Sequence, residues 1–130
     1  MLKINKTAEY ALIAIKHMSN KKSLCSSNFI ASQYNIPKEI MAKTLQKLSR
    51  KKYINSIKGP KGGYSINNSI KDINLIEFIE DIEGPVGISK CSTNENCNLI
   101  ECCNIKDPIN KINMNIKNIL SKVKLKDIAF

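Results

Sequence analysis

The sequence has only one histidine and lacks the usual signatures of catalysis. His17 lies far from most of the cysteines, and the chain contains no phosphate-binding glycine loop and no paired carboxylates typical of acid–base chemistry. These absences argue against an enzyme. We expect His17 itself on the surface near the end of the first helix, where it would interact with the helix dipole rather than with a metal.

Long apolar segments are also missing. No uncharged apolar run approaches the roughly 20 residues that cross a bilayer. The first six residues have no apolar core of a secretion signal. The sequence therefore predicts a cytoplasmic protein that does not associate with membranes. Its length fits one domain, with or without an oligomerisation arm.

The charges are distributed unevenly along the chain. Residues 1–71 contain 14 Lys and Arg and only two acids, Glu9 and Glu39, whereas residues 72–130 contain seven Lys and nine acids. A compositional bias would spread evenly. This asymmetry favours a basic module that binds phosphates, joined to a segment used for sensing or pairing.

Residues 28–66 carry the signature of a winged helix–turn–helix. Residues 28–34 and 38–51 have helical periodicity, and the second of these helices is basic on its polar face. A glycine-rich turn between two β-favouring segments then predicts a hairpin wing. An ordinary solvated helix face is the alternative, but it leaves the basic wing unexplained. The predicted DNA-binding residues are Lys38, Lys43, Gln46, Lys47, Arg50 and Lys51 from the helix and Lys58, Lys61 and Gly62 from the wing.

The remaining periodic segments predict three further helical regions. Residues 5–18 form a first helix capped by Asn5 or Thr7, and residues 73–82 form a helix with Asn74 near its start. From Ile105 an apolar stripe recurs at helical spacing up to Val123. This helix is expected to pair with its copy in a homodimer, although it could instead fold back onto its own domain.

The sequence thus predicts a mainly α fold with a small β-hairpin: a winged helix–turn–helix domain plus a long C-terminal dimerisation helix. The expected boundaries are residues 1–83 for the DNA-binding domain, 84–104 for a cysteine-rich loop, and 105–130 for the dimerisation helix and C-terminal tail.

The cysteines point to metal or redox chemistry. Four of the five lie within 13 residues, and an odd count without a secretion signal argues against a disulfide framework. We expect the isolated Cys25 to be a partly buried structural thiol. A zinc-stapled repressor and a cluster-free thiol-redox repressor, using Cys102 and Cys103 or Cys91 and Cys97, are the alternatives to an iron–sulfur site.

Three short motifs resemble one known family. They are Glu9–Leu12 in the first helix, Gly59–Tyr64 in the wing, and Ile82–Pro85 before the cysteine-rich loop. Together they resemble the bacterial Rrf-type winged-helix transcriptional regulators, the family that includes IscR, NsrR and CymR. The resemblance implies a homodimer that binds a palindromic operator in double-stranded DNA, acting as a repressor.

The same resemblance implies a cluster-binding member. Cys91, Cys97 and Cys103 match the spacing of the cluster-binding branch, and the five-residue gaps are longer than those usual in structural zinc sites. Lys106 stands where the IscR-like pattern has a histidine. The NsrR-like pattern instead places Glu9 of the partner subunit as the fourth ligand, although a carboxylate there also suits the helix dipole. Asp107 and Cys102 stay open as alternatives.

The implied cofactor is an iron–sulfur cluster, either [4Fe–4S] or [2Fe–2S], that senses nitric oxide, redox state or iron–sulfur status.

Overall fold

The computed structural model describes residues 4–88 and 104–130. In this part of the chain, six α-helices, one 3-10 turn and one antiparallel hairpin follow each other, and no helix is long and apolar enough to span a membrane. The predicted fold class, mainly helical with a small hairpin, is confirmed. The helices are α1 (Lys6–Ser19), α2 (Ser27–Gln33), α3 (Lys38–Arg50), α4 (Leu75–Glu83), α5 (Lys106–Ser121) and α6 (Leu125–Ala129); the strands are β1 (Ile54–Ile57) and β2 (Gly63–Ile66).

Polar side chains cap three of the helices, and those of α1 and α4 lie at the predicted places. Asn5 Oδ1 accepts from the Thr7 backbone N–H at 3.1 Å, which selects Asn5 as the cap of α1. Ser26 caps α2, and Asn74 Oδ1 accepts from Glu77 N–H at 2.8 Å to cap α4. Each bond satisfies an N–H group that the first helical turn leaves unpaired.

The core forms where α1 packs between the helix–turn–helix unit and the C-terminal helices. Alanines at positions 8, 11 and 14 of α1 are fully buried, so the neighbouring helices α3, α4 and α6 approach its backbone closely. Asn35, between α2 and α3, adopts a left-handed conformation with φ of 54°, which asparagine tolerates better than most residues. The largest buried side chains are Ile15, Met18, Ile30, Met41, Leu45, Leu48, Tyr53, Ile54, Phe78, Ile82 and Leu125.

The hairpin is anchored to the segment that precedes α2. Its register pairs Ile54 with Ile66 and Ile57 with Gly63. Beyond the hairpin, Cys25 N–H donates to Tyr64 O at 2.9 Å and Tyr64 N–H donates back to Cys25 O at 2.8 Å. This extra bridge fixes one strand of the wing to the body of the domain.

The C-terminal segment returns to the domain core. Leu75 N–H donates to Val123 O at 2.8 Å, and Leu125 N–H donates to Ile73 O at 2.9 Å, so the chain after α5 lies beside the start of α4. α6 then packs on α1, where Ser19 Oγ donates to Ala129 O at 2.6 Å. A stretch expected as a tail is therefore a helix that contributes Leu125 and Ala129 to the core.

The surface position expected for His17 is wrong. The side chain is only 4% exposed, and its Nδ1 lies 2.9 Å from the Tyr34 hydroxyl. The helical period of α1 did identify an apolar face, but it gave no sign that Phe29 of α2 and Tyr34, just after α2, would cover a histidine on the flank.

Candidate nucleic-acid interface and metal centre

The basic face of α3 points away from the core. Met41, Thr44, Leu45 and Leu48 bury the opposite face, which orients the helix on the domain. Lys47 is half-buried at the edge of the polar face. The other residues predicted to bind DNA from this helix and its C-terminal cap are exposed: Lys38, Lys43, Gln46, Arg50 and Lys51.

The wing turn depends on Gly62. Its N–H donates to Gly59 O at 3.0 Å, and a Cβ at position 62 would lie 2.1 Å from the Ile57 carbonyl oxygen. No side chain fits there without moving the backbone. Lys58 and Lys61 are exposed on either side of this tight turn.

An open groove of about 630 Å³ lies between α3 and the wing, and four of the nine predicted DNA-binding residues line it. Gln46 and Arg50 line it from the helix, while Lys58 and Gly62 line it from the hairpin. Six other lining residues were not predicted to bind DNA: Ser49, Ser56, Ile57, Gly59, Gly63 and Tyr64. The first three have nothing in the sequence that distinguishes them from ordinary surface positions, and the last three stood out only as part of the wing motif.

The cations of this surface have few protein partners. Among residues 4–88 and 104–130, none of the basic residues predicted to bind DNA forms an ion pair. Lys47 lies near one acidic group, Glu83 at the end of α4, and its charge acts on that carboxyl. The surface as a whole therefore keeps its positive charge available for phosphates.

Glu83, at the end of α4, interacts with the start of α1 and with α3. Partial burial raises the pKa of the Glu83 carboxyl, against the opposing effect of the backbone N–H groups of Asn5 and Ala8 and of the Lys47 ammonium. The C-terminal end of α4 thus lies near both the first turn of α1 and the polar edge of α3. Sequence reasoning missed this role, since Glu83 stood out only as part of a family motif.

The predicted metal ligands are described only in part. Cys91, Cys97 and Cys103 lie outside the described residues, as does Cys102. In the described part of the chain, no three His, Cys, Asp or Glu side chains come together in a way that could hold a metal.

Glu9 and Asp107 are both at helix N-termini. Glu9 is in the first turn of α1, with its side chain 42% exposed and paired with Lys6 at 3.2 Å. Asp107 is exposed in the first turn of α5. Either carboxylate is accessible from outside its own chain, and the ion pair of Glu9 with a largely exposed lysine is weak.

Comparison with known proteins gives a consistent result. The family model for Rrf2, described as an iron-dependent transcriptional regulator, matches residues 4–130. A transcriptional regulator of the HTH type from Aquifex aeolicus is 35% identical over 75 residues, which span 57% of this chain and about half, 52%, of that protein. The HTH-type transcriptional regulator NsrR of Bacillus licheniformis is 27% identical over 131 residues, covering 98% of this chain and 92% of the relative.

A solved structure supports the same fold. CymR, the global cysteine regulator of Bacillus subtilis, superposes with a TM-score of 0.75 at 22% identity, over 99% of this chain and 97% of that structure. The match extends beyond the winged helix to the C-terminal helices. With its family model matched over almost its whole length, its helix–turn–helix followed by a basic wing, and its C-terminal helices in place, this chain belongs to the Rrf2 family of DNA-binding transcriptional regulators.

Proposed function

We propose that the protein is a homodimeric, cytoplasmic repressor whose binding to a palindromic operator is controlled by an iron–sulfur cluster. The observation that carries the DNA-binding part is the continuous surface formed by α3 and the wing around one groove. The cluster part rests on the set of cysteines between α4 and α5.

On DNA, α3 would enter the major groove and the wing would lie along the adjoining backbone. Lysines at the rim suit phosphates, whereas Gln46 and Arg50 on the groove wall have the side chains that read adenine and guanine edges. The backbone at Gly62 can approach a phosphate closely because it carries no side chain.

The dimer would form along α5. Its large apolar residues recur with alternating spacings of four and three, the pattern of a coiled-coil seam. Ile112 is 48% exposed and Ile119 is 65% exposed, while Ile109 and Ile116 are half-buried. A second copy of α5 is the simplest partner for such a stripe, and two-fold symmetry would match a palindromic operator.

The donor set fits an iron–sulfur cluster better than a structural zinc ion. Thiolates at Cys91, Cys97 and Cys103 are soft ligands, and their five-residue gaps exceed the usual zinc spacing. Glu9 of the partner subunit is our choice for the fourth ligand, and its exposure in the first turn of α1 is compatible with that role. Once bound, the cluster supplies reactivity toward nitric oxide or oxidants.

The chain's own residues offer a route from the cysteine segment to the DNA-binding surface. That segment begins just after α4. The carboxyl of Glu83, at the end of α4, interacts with backbone N–H groups at the start of α1 and with the Lys47 ammonium on α3. A change in the position of α4's end would therefore alter both the α1 terminus and a cation beside the groove.

Anaerobic purification tests the proposal. We expect a coloured protein that contains iron and sulfide, and whose affinity for a DNA duplex selected in vitro falls on exposure to nitric oxide. Cys97→Ala should abolish the visible absorbance and that response, whereas Cys25→Ala should retain both. A colourless protein with zinc in place of iron, or DNA binding that changes only with reversible thiol oxidation, would contradict the cluster and leave one of the two alternatives.

A further inference from the structure

A second cleft lies where the end of α1, the start of α2 and the wing meet. It has a volume of about 360 Å³, and its lining includes His17, Lys21, Leu24, Phe29 and Gly62. The groove used for DNA shares only Gly62 with it. Nothing in the proposed function uses this cleft.

His17 supplies a polar atom that lacks a partner. The side chain is 4% exposed, and its Nδ1 is occupied by the Tyr34 hydroxyl at 2.9 Å. Its Nε2 is buried and forms no hydrogen bond within the described part of the chain. Because an unsatisfied buried polar group costs about 1–3 kcal/mol, an unpaired ring nitrogen on a residue that lines a cleft points to a bound molecule.

The charges and hydrogen-bond donors around the cleft favour an anion. Burial and the nearby Lys21 lower the pKa of His17, so its ring is neutral at physiological pH. Tyr34 is 40% exposed and its hydroxyl can donate to Nδ1, which leaves the ring proton on Nε2. Lys21 adds a cation, and no Asp or Glu is among the lining residues.

The other walls are apolar. Leu24 and Phe29 line the cleft and are 37% and 54% exposed, so their side chains offer apolar surface to an occupant. The Phe29 ring lies 5.8 Å from the His17 ring, centroid to centroid, so an apolar and a polar wall of the cleft are neighbours. The volume is near the lower end of ligand pockets, which favours a molecule of a few carbon atoms.

We propose that this cleft binds a small organic monocarboxylate. The carboxylate accepts hydrogen bonds from His17 Nε2–H and Lys21, and the hydrocarbon part lies against Leu24 and Phe29. Its lining residues are different from the predicted cluster ligands, so the site gives the regulator a second input.

The occupant would contact the anchor of the wing. Cys25, which also lines the cleft, is joined to Tyr64 of the wing by two backbone hydrogen bonds of 2.8 and 2.9 Å. A ligand that breaks these two hydrogen bonds, or that stabilises them, changes the position of the wing tip. An effect on DNA affinity depends on the proposed function, but binding itself does not.

The single histidine makes a direct test possible. In the full-length chain with ¹⁵N-labelled histidine and without DNA, only His17 contributes imidazole signals. Butyrate should shift the Nε2 signal to saturation, and butyramide, which has nearly the same shape but no charge, should not. Lys21→Met should weaken butyrate binding at least about tenfold, as expected for loss of a charged hydrogen-bond partner. The adjacent Lys22→Met, which does not line the cleft, should leave it unchanged.

Three results would overturn the proposal. The first is the absence of a saturable shift with butyrate at tens of millimolar, a range that would detect even weak binding. The second is an equal shift with butyramide, which would mean that charge is not recognised. The third is a shift with duplex DNA but not with butyrate, which would assign the cleft to a backbone phosphate.

Discussion

The Tyr53 hydroxyl, at the base of the wing, donates a 2.6 Å hydrogen bond to Asp81 Oδ2 on α4. The Tyr53 ring is 2% exposed and packs edge-on against Phe78, with ring centroids 5.1 Å apart. Burial, followed by the bond to Asp81, raises the pKa of Tyr53 above its usual range. One side chain therefore ties the wing to the helix that leads into the cysteine segment.

Tyr53→Phe should lower the free energy of unfolding by about 1–3 kcal/mol. The substitution keeps the ring contact with Phe78 but leaves a carboxylate without its donor, and a hydrogen bond to a charged group is worth this amount. Urea unfolding followed by circular dichroism measures the change. Tyr10→Phe, in which the lost hydroxyl belongs to a half-buried flank of α1, is the matched control and should have a smaller effect.

The same pair should make stability sensitive to alkaline pH. An unfolded tyrosine has a pKa of about 10, and the folded pKa is higher, so the folded state retains a proton that the unfolded state loses. The contribution of Tyr53 is fully present below pH 10 and declines as the pH rises beyond it. The stability difference between wild type and Tyr53→Phe should shrink from pH 9 to 11; a constant difference would contradict this assignment.

Removing wing lysines should reduce the salt dependence of DNA binding. Each phosphate contact contributes about 0.9 to the slope of log K against log salt, so Lys58→Gln and Lys61→Gln should each lower its magnitude by about that amount. Fluorescence anisotropy at several salt concentrations provides the slopes. Lys122→Gln, at the end of α5 and far along the chain from the wing, should leave the slope unchanged.

Gly62→Ala should impair DNA binding more than folding. The new Cβ would lie 2.1 Å from the Ile57 carbonyl oxygen, so the turn must open, but the wing tip contributes little to the buried core. We expect at least tenfold weaker DNA binding and a small change in melting temperature. Pro60→Ala, exposed in the same turn, is the control, and wild-type affinity in Gly62→Ala would show that the turn shape is unimportant.

Ile119→Lys should convert a dimer into a folded monomer. The side chain is 65% exposed on one chain, so the charge disturbs only the surface that pairs with a second α5. Sedimentation velocity measures the assembly and circular dichroism the fold. Ile128→Lys on α6, where the isoleucine is 41% exposed, should remain dimeric. A wild-type chain that is monomeric at micromolar concentration would refute the dimer itself.

The sequence predicted those parts of the fold that local chemistry determines. Helical periodicity identified the buried face of α3, and Asn5 and Asn74 marked helix starts because their side chains satisfy local N–H groups. The glycines at 59 and 62 predicted a tight turn, and the structure has one there, with Lys58 lining the groove beside it.

Contacts between distant segments were not predictable in this way. The burial of His17 depends on Tyr34 and Phe29, and the proximity of Glu83 to α1 depends on how α4 packs. α6 was not predicted because five residues are too few for helical periodicity to distinguish a short helix from an irregular tail. The roles of Cys91, Cys97, Cys103 and Glu9 in holding a cluster stay a prediction.

The backbone bonds that join Val123 and Leu125 to the start of α4 have a consequence for operator architecture. They hold the distal end of α5 against the body of the domain, so this end of the helix has a fixed position and is not a freely moving arm. In a dimer built on α5, the two copies of this junction would set the distance between the two DNA-binding domains. The preferred distance between the two half-sites on DNA would then depend on this junction. Loosening the junction would allow other half-site distances before it weakened binding to either half-site.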